Sequence, residues 1–203
     1  MWALIEDGSI TKLINNPKAM VIGDIQYSRN IFSFRWSNEE RDAIGLYEVV
    51  FDNTNKKDEA YYTNTNQTFA FADGVVTASY GSATAKAYAD TLFTAQDEID
   101  GKGTEGEVAV EGLKTVRIRT VKQQAAGELQ NTDWYVVRKA DAGTAVPSAI
   151  TTHRAAVRTK CAEMETAITN AADTPALETL YTYTRQEDDS VTRPLGELPR
   201  LES

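Results

Sequence analysis

Histidine and cysteine occur once each, as His153 and Cys161. A single cysteine excludes an internal disulfide framework and any multi-cysteine metal site. A single imidazole leaves a Ser-His-Asp or Cys-His mechanism with one candidate base. His153 and Cys161 fall on one expected helix, more than two turns apart, so they cannot form a dyad. Cys161 then reads as a small packed residue and His153 as a surface or partner-contacting side chain. Long hydrophobic runs are also missing, and none approaches the ~20 apolar residues of a membrane span. The opening Met1-Trp-Ala-Leu-Ile-Glu6-Asp7 reaches carboxylates before an apolar run could act as a signal peptide, so synthesis and folding in the cytosol are expected. Positive charge is the minority sign: 21 Lys and Arg against 30 Asp and Glu give a net charge of -9. Such a chain repels phosphate backbones and anionic membrane surfaces, leaving protein as the expected partner class rather than nucleic acid or membrane.

What is present is ordinary for a soluble globular chain: 203 residues, 41% hydrophobic and 25% charged, suit one domain or two small ones. From Trp2 to Tyr80, turn residues (Asp7-Gly8, Asn15-Asn16-Pro17, Gly23-Asp24, Asp52-Asn53, Asp73-Gly74) alternate with β-branched or aromatic runs: Trp2 to Ile5, Met20 to Ile25, Ile31 to Trp36, Tyr47 to Phe51, Tyr61 to Thr63, Thr68 to Phe71 and Val75 to Tyr80. Short strands between turns predict a small antiparallel β-rich domain over residues 1–80. Asp7-Gly8 and Asp73-Gly74 are the better hairpin signals, because glycine accepts the positive φ of tight turns. One helical turn interrupts the strands, capped by Ser37 with Glu40 at the capping-box position and closed by Gly45.

Beyond Gly81 the period changes. Ala85, Tyr88, Leu92, Ala95 and Ile99 recur at steps of three and four and predict a helix capped by Ser82. Residues 101–112, rich in Gly and Glu, read as an acidic flexible connection in which Val108 to Val110 alone could form a strand, which makes 81–112 a helix plus linker. A second helix is predicted from about Leu113 to Gln130, a break at Asn131-Thr132-Asp133 and a short segment from Trp134. The last long helix is capped by Ser148. It places Ile150, Val157, Met164 and Ala171 at one seven-residue register and Arg154, Cys161 and Ile168 at another, a seam that wants a partner helix. A cation inside that seam needs a carboxylate, with Asp133 or another chain as its source, or must snorkel to solvent. Thr174-Pro175 caps a final short helix, Ala176 to Tyr183. The helical region thus spans 113–185, followed by an extended, proline-containing tail over 186–203. The fold class expected is α+β: a β-rich domain, then a helical region built as a helix-hairpin or as oligomeric helices.

Chemistry is hard to find in these patterns. The acidic groups Asp97, Glu98 and Asp100, Glu105, Glu107 and Glu111, and Glu187, Asp188 and Asp189 lack the order of a calcium loop and read as solvated. Gly101-Lys-Gly103-Thr-Glu-Gly106 has no buried strand before it and no Lys-Ser/Thr pair after it, so it is no nucleotide loop. Paired glycosidase carboxylates cannot be read from linear spacing. Trp36, Tyr61, Tyr62, Phe69 and Phe71 could stack on a sugar or a base, although rings on short half-buried strands belong more often to the core. No catalytic residue, cofactor or metal is expected.

The stretch Val116-Arg117 through Leu129-Gln-Asn-Thr132-Asp133-Trp134, then Arg138, then Pro147-Ser-Ala-Ile150 with Arg154 and Arg158, resembles the tail-assembly proteins of tailed bacteriophages. In that family a helix ending in a Leu-x-x-Thr-Asp-Trp-like motif precedes a helix with paired arginines. The resemblance covers about the last ninety residues. Trp2 to Ile10, Gly23 to Tyr27, Ile31-Phe32 and Ile44 to Val49 also look like marine phage tail-region reading frames. This chain has His153-Arg154 where the family often has Tyr-Arg. The resemblance implies a non-enzymatic role at a tail fibre or baseplate, in the virion tail after synthesis in the host bacterial cytoplasm. Other tail and fibre proteins, or copies of the chain itself, are its implied partners. Alternatives are a tail-fibre assembly chaperone not retained in the virion, and a carbohydrate-binding tail protein using the aromatic β-domain. The candidate interaction residues are Asp133, Trp134, Arg138, Arg154 and Arg158, because Trp and Arg dominate interface energetics.

Overall fold

The computed structural model describes residues 1–201 and divides into two compact units, 1–84 and 85 onward. The first is β-rich and the second mainly helical, the α+β class expected of the chain.

In the first unit, strands β1 (Trp2–Glu6), β2 (Ser9–Ile14), β5 (Leu46–Asp52), β7 (Gln67–Ala72) and β8 (Val75–Tyr80) form one sheet in the order β2-β1-β5-β8-β7. Asp7 and Gly8 (φ 49° and 73°) and Asp73 and Gly74 (φ 50° and 76°) make the two hairpin turns, each with both central residues left-handed, matching the twist of the flanking strands. Three junctions are antiparallel, but β5 and β8 run parallel. The connection through 53–74, which holds the two-residue strand β6 (Tyr62–Thr63), supplies the crossover that a parallel pair requires. One face buries Ala3, Ile5, Val49, Val76 and Ala78 under Tyr47, Phe69 and Phe71. A second cluster joins Ile14, Ile31 and Leu46 to Trp2, Tyr27 and Trp36.

Two local differences arise in this unit. Met20 to Ile25 is not one strand: Gly23 turns the chain at φ 59°, splitting it into the hairpin β3 (Met20–Ile22) and β4 (Ile25–Tyr27). Ile31 to Trp36 forms no strand, since a 3-10 turn occupies Arg29–Phe32. Its carbonyls are taken elsewhere: buried Arg41 donates Nε to Ile31 O (2.9 Å) and Nη2 to Ser33 O (2.5 Å), with its guanidinium 4.9 Å from the Trp2 ring centroid. Arg41 sits on α1 (Asn38–Asp42), whose Ser37/Glu40 capping box forms as expected.

The second unit corrects the helix expected over Ala85 to Ile99. Only α2 (Ala95–Ile99) is helical; before it come the two-residue strands β9 (Thr84–Ala85) and β10 (Thr91–Leu92). The backbone of 86–90 is committed to distant partners instead. Leu113 N–H donates to Ala87 O (2.9 Å), Lys114 N–H to Tyr88 O (3.0 Å) and Thr174 Oγ1 to Lys86 O (2.7 Å). Asp90 accepts from Gly112 N–H (2.7 Å) and Thr115 Oγ1 (2.8 Å), contacts that hold its carboxyl below the usual range. This loop therefore caps α3 (Leu113–Gln130), whose own N-cap, Gly112, has no side chain to do so. A Cβ on Gly112 would lie 2.3 Å from the Ala89 carbonyl, so the approach requires glycine.

The acidic stretch is likewise no loose linker. Strand β11 (Val108–Val110) pairs with β10, and Phe93 N–H donates to Glu107 O (2.9 Å). Thr94 and Asp97 form a capping box on α2, and Lys102 lies 3.1 Å from Asp97 and 3.0 Å from Asp100. Hydrogen bonds from Thr94, then Lys102, hold the Asp97 carboxyl at about 2 against its ordinary 3.8. A depressed carboxyl contributes stability that is complete above its unfolded value and is lost as pH falls through the folded one. The α2 turn is therefore expected to loosen between pH 3.8 and about 2. Amide shifts of Thr94 and Asp97 that titrate at the ordinary aspartate position would contradict this.

Helix α3 has the bounds expected of it and packs antiparallel on α5 (Ser148–Asn170). The loop that caps the start of α3 also sends Tyr88 Oη to Ile168 O (2.6 Å) at the end of α5. Val121 and Ala125 of α3 and Ile150, Val157, Met164 and Ile168 of α5 are buried. The seam of α5 thus finds its partner helix within the chain. His153, expected as a surface or partner-contacting side chain, is buried within its own unit, while Cys161 is half-buried. Pro147, not Ser148, occupies the N-cap of α5, and Asp173 rather than Thr174-Pro175 caps α6 (Thr174–Tyr181).

The tail expected to be extended over 186–203 instead begins within a hairpin, β12 (Thr184–Arg185) with β13 (Val191–Thr192). It then returns to bury Leu195, whose N–H donates to Leu180 O (3.0 Å). Glu202 and Ser203, the end of that expected tail, lie outside the described residues.

Candidate functional site

Between α3 and α5 runs α4 (Asp133–Ala142), a ten-residue helix with no buried residue. Such a helix gains little from the core of its own unit, so its position must come from its ends. Its N-terminal end is held by Arg154. That side chain, 10% exposed, donates Nη1 to Leu129 O (2.8 Å) and Thr132 Oγ1 (2.6 Å), and its Nη2 stands 2.8 Å from Asp133 Oδ1. Thr132, 1% exposed, makes no side-chain cap; its hydroxyl donates back to Leu129 O (2.9 Å). One guanidinium thereby joins the end of α3, the break and the first residue of α4. Asp133 also places a carboxylate at the positive end of that helix. At the other end Gly143, at φ 71°, closes α4 with its N–H on Lys139 O (3.0 Å).

One face of α4 presents apolar and aromatic side chains, while Asp133, Lys139 and Asp141 are exposed beside it. Trp134 is 50% exposed and Val137 65%, and they sit one turn apart with Arg138 on the same face. Trp134 and Tyr135 lie with ring centroids 3.8 Å apart, and the Arg138 guanidinium stands 4.7 Å from the Trp134 ring and 5.4 Å from the Tyr135 ring. Cation–π contacts of this kind hold long side chains in place while leaving guanidinium protons for an outside acceptor. Arg138 Nε is buried without a hydrogen-bond partner among the described residues.

The structure therefore brings together four of the five candidate residues, Asp133, Trp134, Arg138 and Arg154, in two roles. Arg154 meets Asp133 inside the chain and positions α4, while Trp134 and the half-buried Arg138 stacked on it lie on the outer side. Arg158, one turn beyond Arg154, is exposed and takes no part in the clasp. Thr132 reads from sequence as part of a helix break, as a candidate N-cap and as a member of the Leu129 to Trp134 stretch, but not as a partner of Arg154, and Val137 carries no reading of its own there. The signal for Val137 is nonetheless present in the paired β-branched residues directly after Trp134-Tyr135.

Other chemistry-bearing groups stand apart. Burial, then the Glu165 carboxylate that accepts from Sγ at 3.4 Å, pushes the Cys161 thiol up. Tyr61 and Tyr62 are buried, and Trp36 packs edge-on to Tyr27 at 5.9 Å in the second cluster of the β-rich unit. Among the described residues no three His, Cys, Asp or Glu side chains converge as a metal site, and no helix is long and apolar enough to cross a membrane. No family model, curated protein or solved structure matches the chain.

Proposed function

We propose that this chain is a non-enzymatic structural or interaction protein of a phage tail, located at the fibre or baseplate, with α4 as its principal contact surface. The observation that carries the reading is α4 itself: a helix with no buried residue, clasped at one end, that presents Trp134, Val137 and a stacked Arg138 on its outer side. Trp, Tyr and Arg clustered on a helix without a core of its own have the composition of an interface hot spot. The same residues carry the resemblance to phage tail-assembly proteins, which supplies the biological setting. Its partners are other tail or fibre proteins, or further copies of the chain.

Two measurements test this. Mass spectrometry of purified particles is expected to find the chain at a fixed ratio to the fibre subunits. Its absence from particles, together with failure of fibre trimers to form without it, would replace the virion role with that of a transient assembly chaperone. In a pull-down with tail and fibre proteins, Trp134→Ala is expected to weaken capture by more than about tenfold with an unchanged circular dichroism spectrum. Undiminished capture would remove α4 from the interface.

A further inference from the structure

The acidic segment that leads into α3 is a second surface, independent of α4. Residues 90–111 hold seven carboxylates against the single Lys102, a net charge of -6 out of the chain's -9. The same segment leaves large apolar side chains in solvent: Leu92 and Val108 are about half exposed, Val110 is 62% exposed and Ile99 78%. Carboxylates alone make an ordinary solvated surface. A contiguous apolar patch among them marks a contact site.

The apolar side chains form a face. In β11, Val108 and Val110 alternate with the half-buried Ala109, so both stand on the outer side of the ribbon. Leu92 of β10 lies opposite Val108. The connection between the two strands, which carries Ile99 on α2, is fixed by its own bonds. Gly106 N–H donates to Phe93 O (3.0 Å), Lys102 N–H to Asp97 O (2.8 Å) and Glu105 N–H to Glu98 Oε2 (3.1 Å). Phe93 lies so close to Gly103 that an added Cβ would meet its ring at 2.4 Å. A face held in this way has little conformational freedom to lose when it is covered.

Shape and charge together define what covers it. Two strands about 4.8 Å apart make a ribbon roughly 10 Å across, the diameter of one α-helix. Val108 and Val110 stand about 6.6 Å apart along β11, close to the ~6 Å between helix residues four apart. Glu105 and Glu107, next to this strand, make no side-chain hydrogen bond or ion pair with any described residue. Among the described residues no three carboxylates converge, so the negative charge is spread along the surface and suits a row of Lys or Arg better than one metal ion. Long cationic side chains reach such carboxylates from the edges of a helix while its apolar stripe lies on the ribbon.

We propose that the outer face of β10 and β11 docks a basic amphipathic helix of a partner protein. Leu92, Val108 and Val110 meet its apolar stripe, and Glu105 and Glu107 meet its cations. Helix α3 of a second copy is a poor occupant, because its Arg119 and Lys122 are already paired with Glu111 and Glu165.

The test is an amide-resolved NMR titration of the full chain with a synthetic peptide of about 18 residues, Leu and Lys set at helical spacing. Two companions keep the spacing, one with Glu in place of Lys and one with Ser in place of Leu. The Leu/Lys peptide alone is expected to shift amides of 91–93, 99 and 105–111, and a tenfold rise in salt should weaken it severalfold. Val110→Thr keeps the branched shape that a strand prefers and is expected to weaken binding about fivefold. Glu105→Gln combined with Glu107→Gln should weaken it about as much, by removing two surface ion pairs. Unchanged spectra elsewhere show that both variants remain folded. The proposal fails if no ribbon amide shifts, if either companion peptide binds as tightly, or if either variant binds as tightly as the parent chain. It fails if the shifts spread evenly over the carboxylates of the β-rich unit, since net charge then accounts for the attraction, or if calcium ion shifts the same amides and displaces the peptide. Self-association that shifts these amides as the chain is concentrated would make a second copy the occupant and overturn it. Shifts confined to 133–138 would assign the peptide to α4, removing this proposal while leaving the proposed function in place.

Discussion

Arg154→Met is expected to destabilise the helical unit by about 2–3 kcal/mol, measured by urea unfolding followed at helical wavelengths. Methionine keeps much of the volume and apolar stem of arginine, so the loss reports the guanidinium rather than a cavity. That guanidinium makes two charge-assisted hydrogen bonds in a nearly buried position, to Leu129 O and Thr132 Oγ1, and one ion pair to Asp133. Leu129 O retains the Thr132 hydroxyl as a donor after the change, which keeps the cost below that of a fully orphaned carbonyl. The ion pair contributes the smaller share, because the Asp133 side chain is 55% exposed and water screens it. Asp133→Asn is accordingly expected to cost less than about 1 kcal/mol. Equal costs for the two variants would mean that the charge pair, not the buried hydrogen bonds, holds the clasp. Arg154→Lys should recover little, since one ammonium cannot reach three acceptors with the spread of a guanidinium fork.

The consequence for the contact surface is orientation. With no buried residue of its own, α4 keeps its direction through Arg154 at one end and the left-handed Gly143 at the other. Arg154→Met should therefore weaken partner capture even at temperatures where the unit stays folded, and Trp134→Ala should weaken capture without lowering stability. The two residues act on the same surface through different quantities.

This division was half legible in the sequence. That a cation in the α5 seam meets a carboxylate, from Asp133 or another chain, or else snorkels to solvent is as far as the chain alone leads, and the structure selects Asp133. That Thr132 and Leu129 O carry most of the clasp does not follow from the chain, because a backbone carbonyl has no letter. Local devices were the readable ones: the Ser37/Glu40 box, the two Asp-Gly turns and the bounds of α3 depend on residues within a few positions of each other. The helix expected over Ala85 to Ile99 failed for the opposite reason. Its apolar spacing is helical, but Lys86, Ala87 and Tyr88 give their carbonyls to Thr174, Leu113 and Lys114, and such nonlocal bonds override a weak local preference. The same holds at Ile31 to Trp36, where Arg41 takes the carbonyls a strand would have paired.

Gly45→Ala is expected to destabilise the β-rich unit by about 3–5 kcal/mol, from two costs that can be measured separately. The first is conformational: Gly45 sits at φ 75°, where an L side chain costs about 1–2 kcal/mol. The second is steric: a Cβ there would lie 2.3 Å from Ile5 O, a backbone atom that cannot rotate aside. Gly45 O also accepts Ile5 N–H at 2.7 Å, at the register shift between Leu4 and Ile5 in β1. Pushing the strands apart at this point would therefore loosen Ala3 and Ile5 from the core they share with Val49 and Val76. Gly74 is the control, because it has almost the same φ, 76°, and a Cβ added there would meet nothing within 4 Å. Gly74→Ala should cost only the conformational part, and Gly74→Asn less than about 1 kcal/mol, since asparagine tolerates the left-handed region. Gly45→Asn, in contrast, should be as damaging as Gly45→Ala. Thermal unfolding of the four variants separates strain from contact: if asparagine rescues position 45 as it does position 74, the close approach of Gly45 to Ile5 is not what fixes this junction.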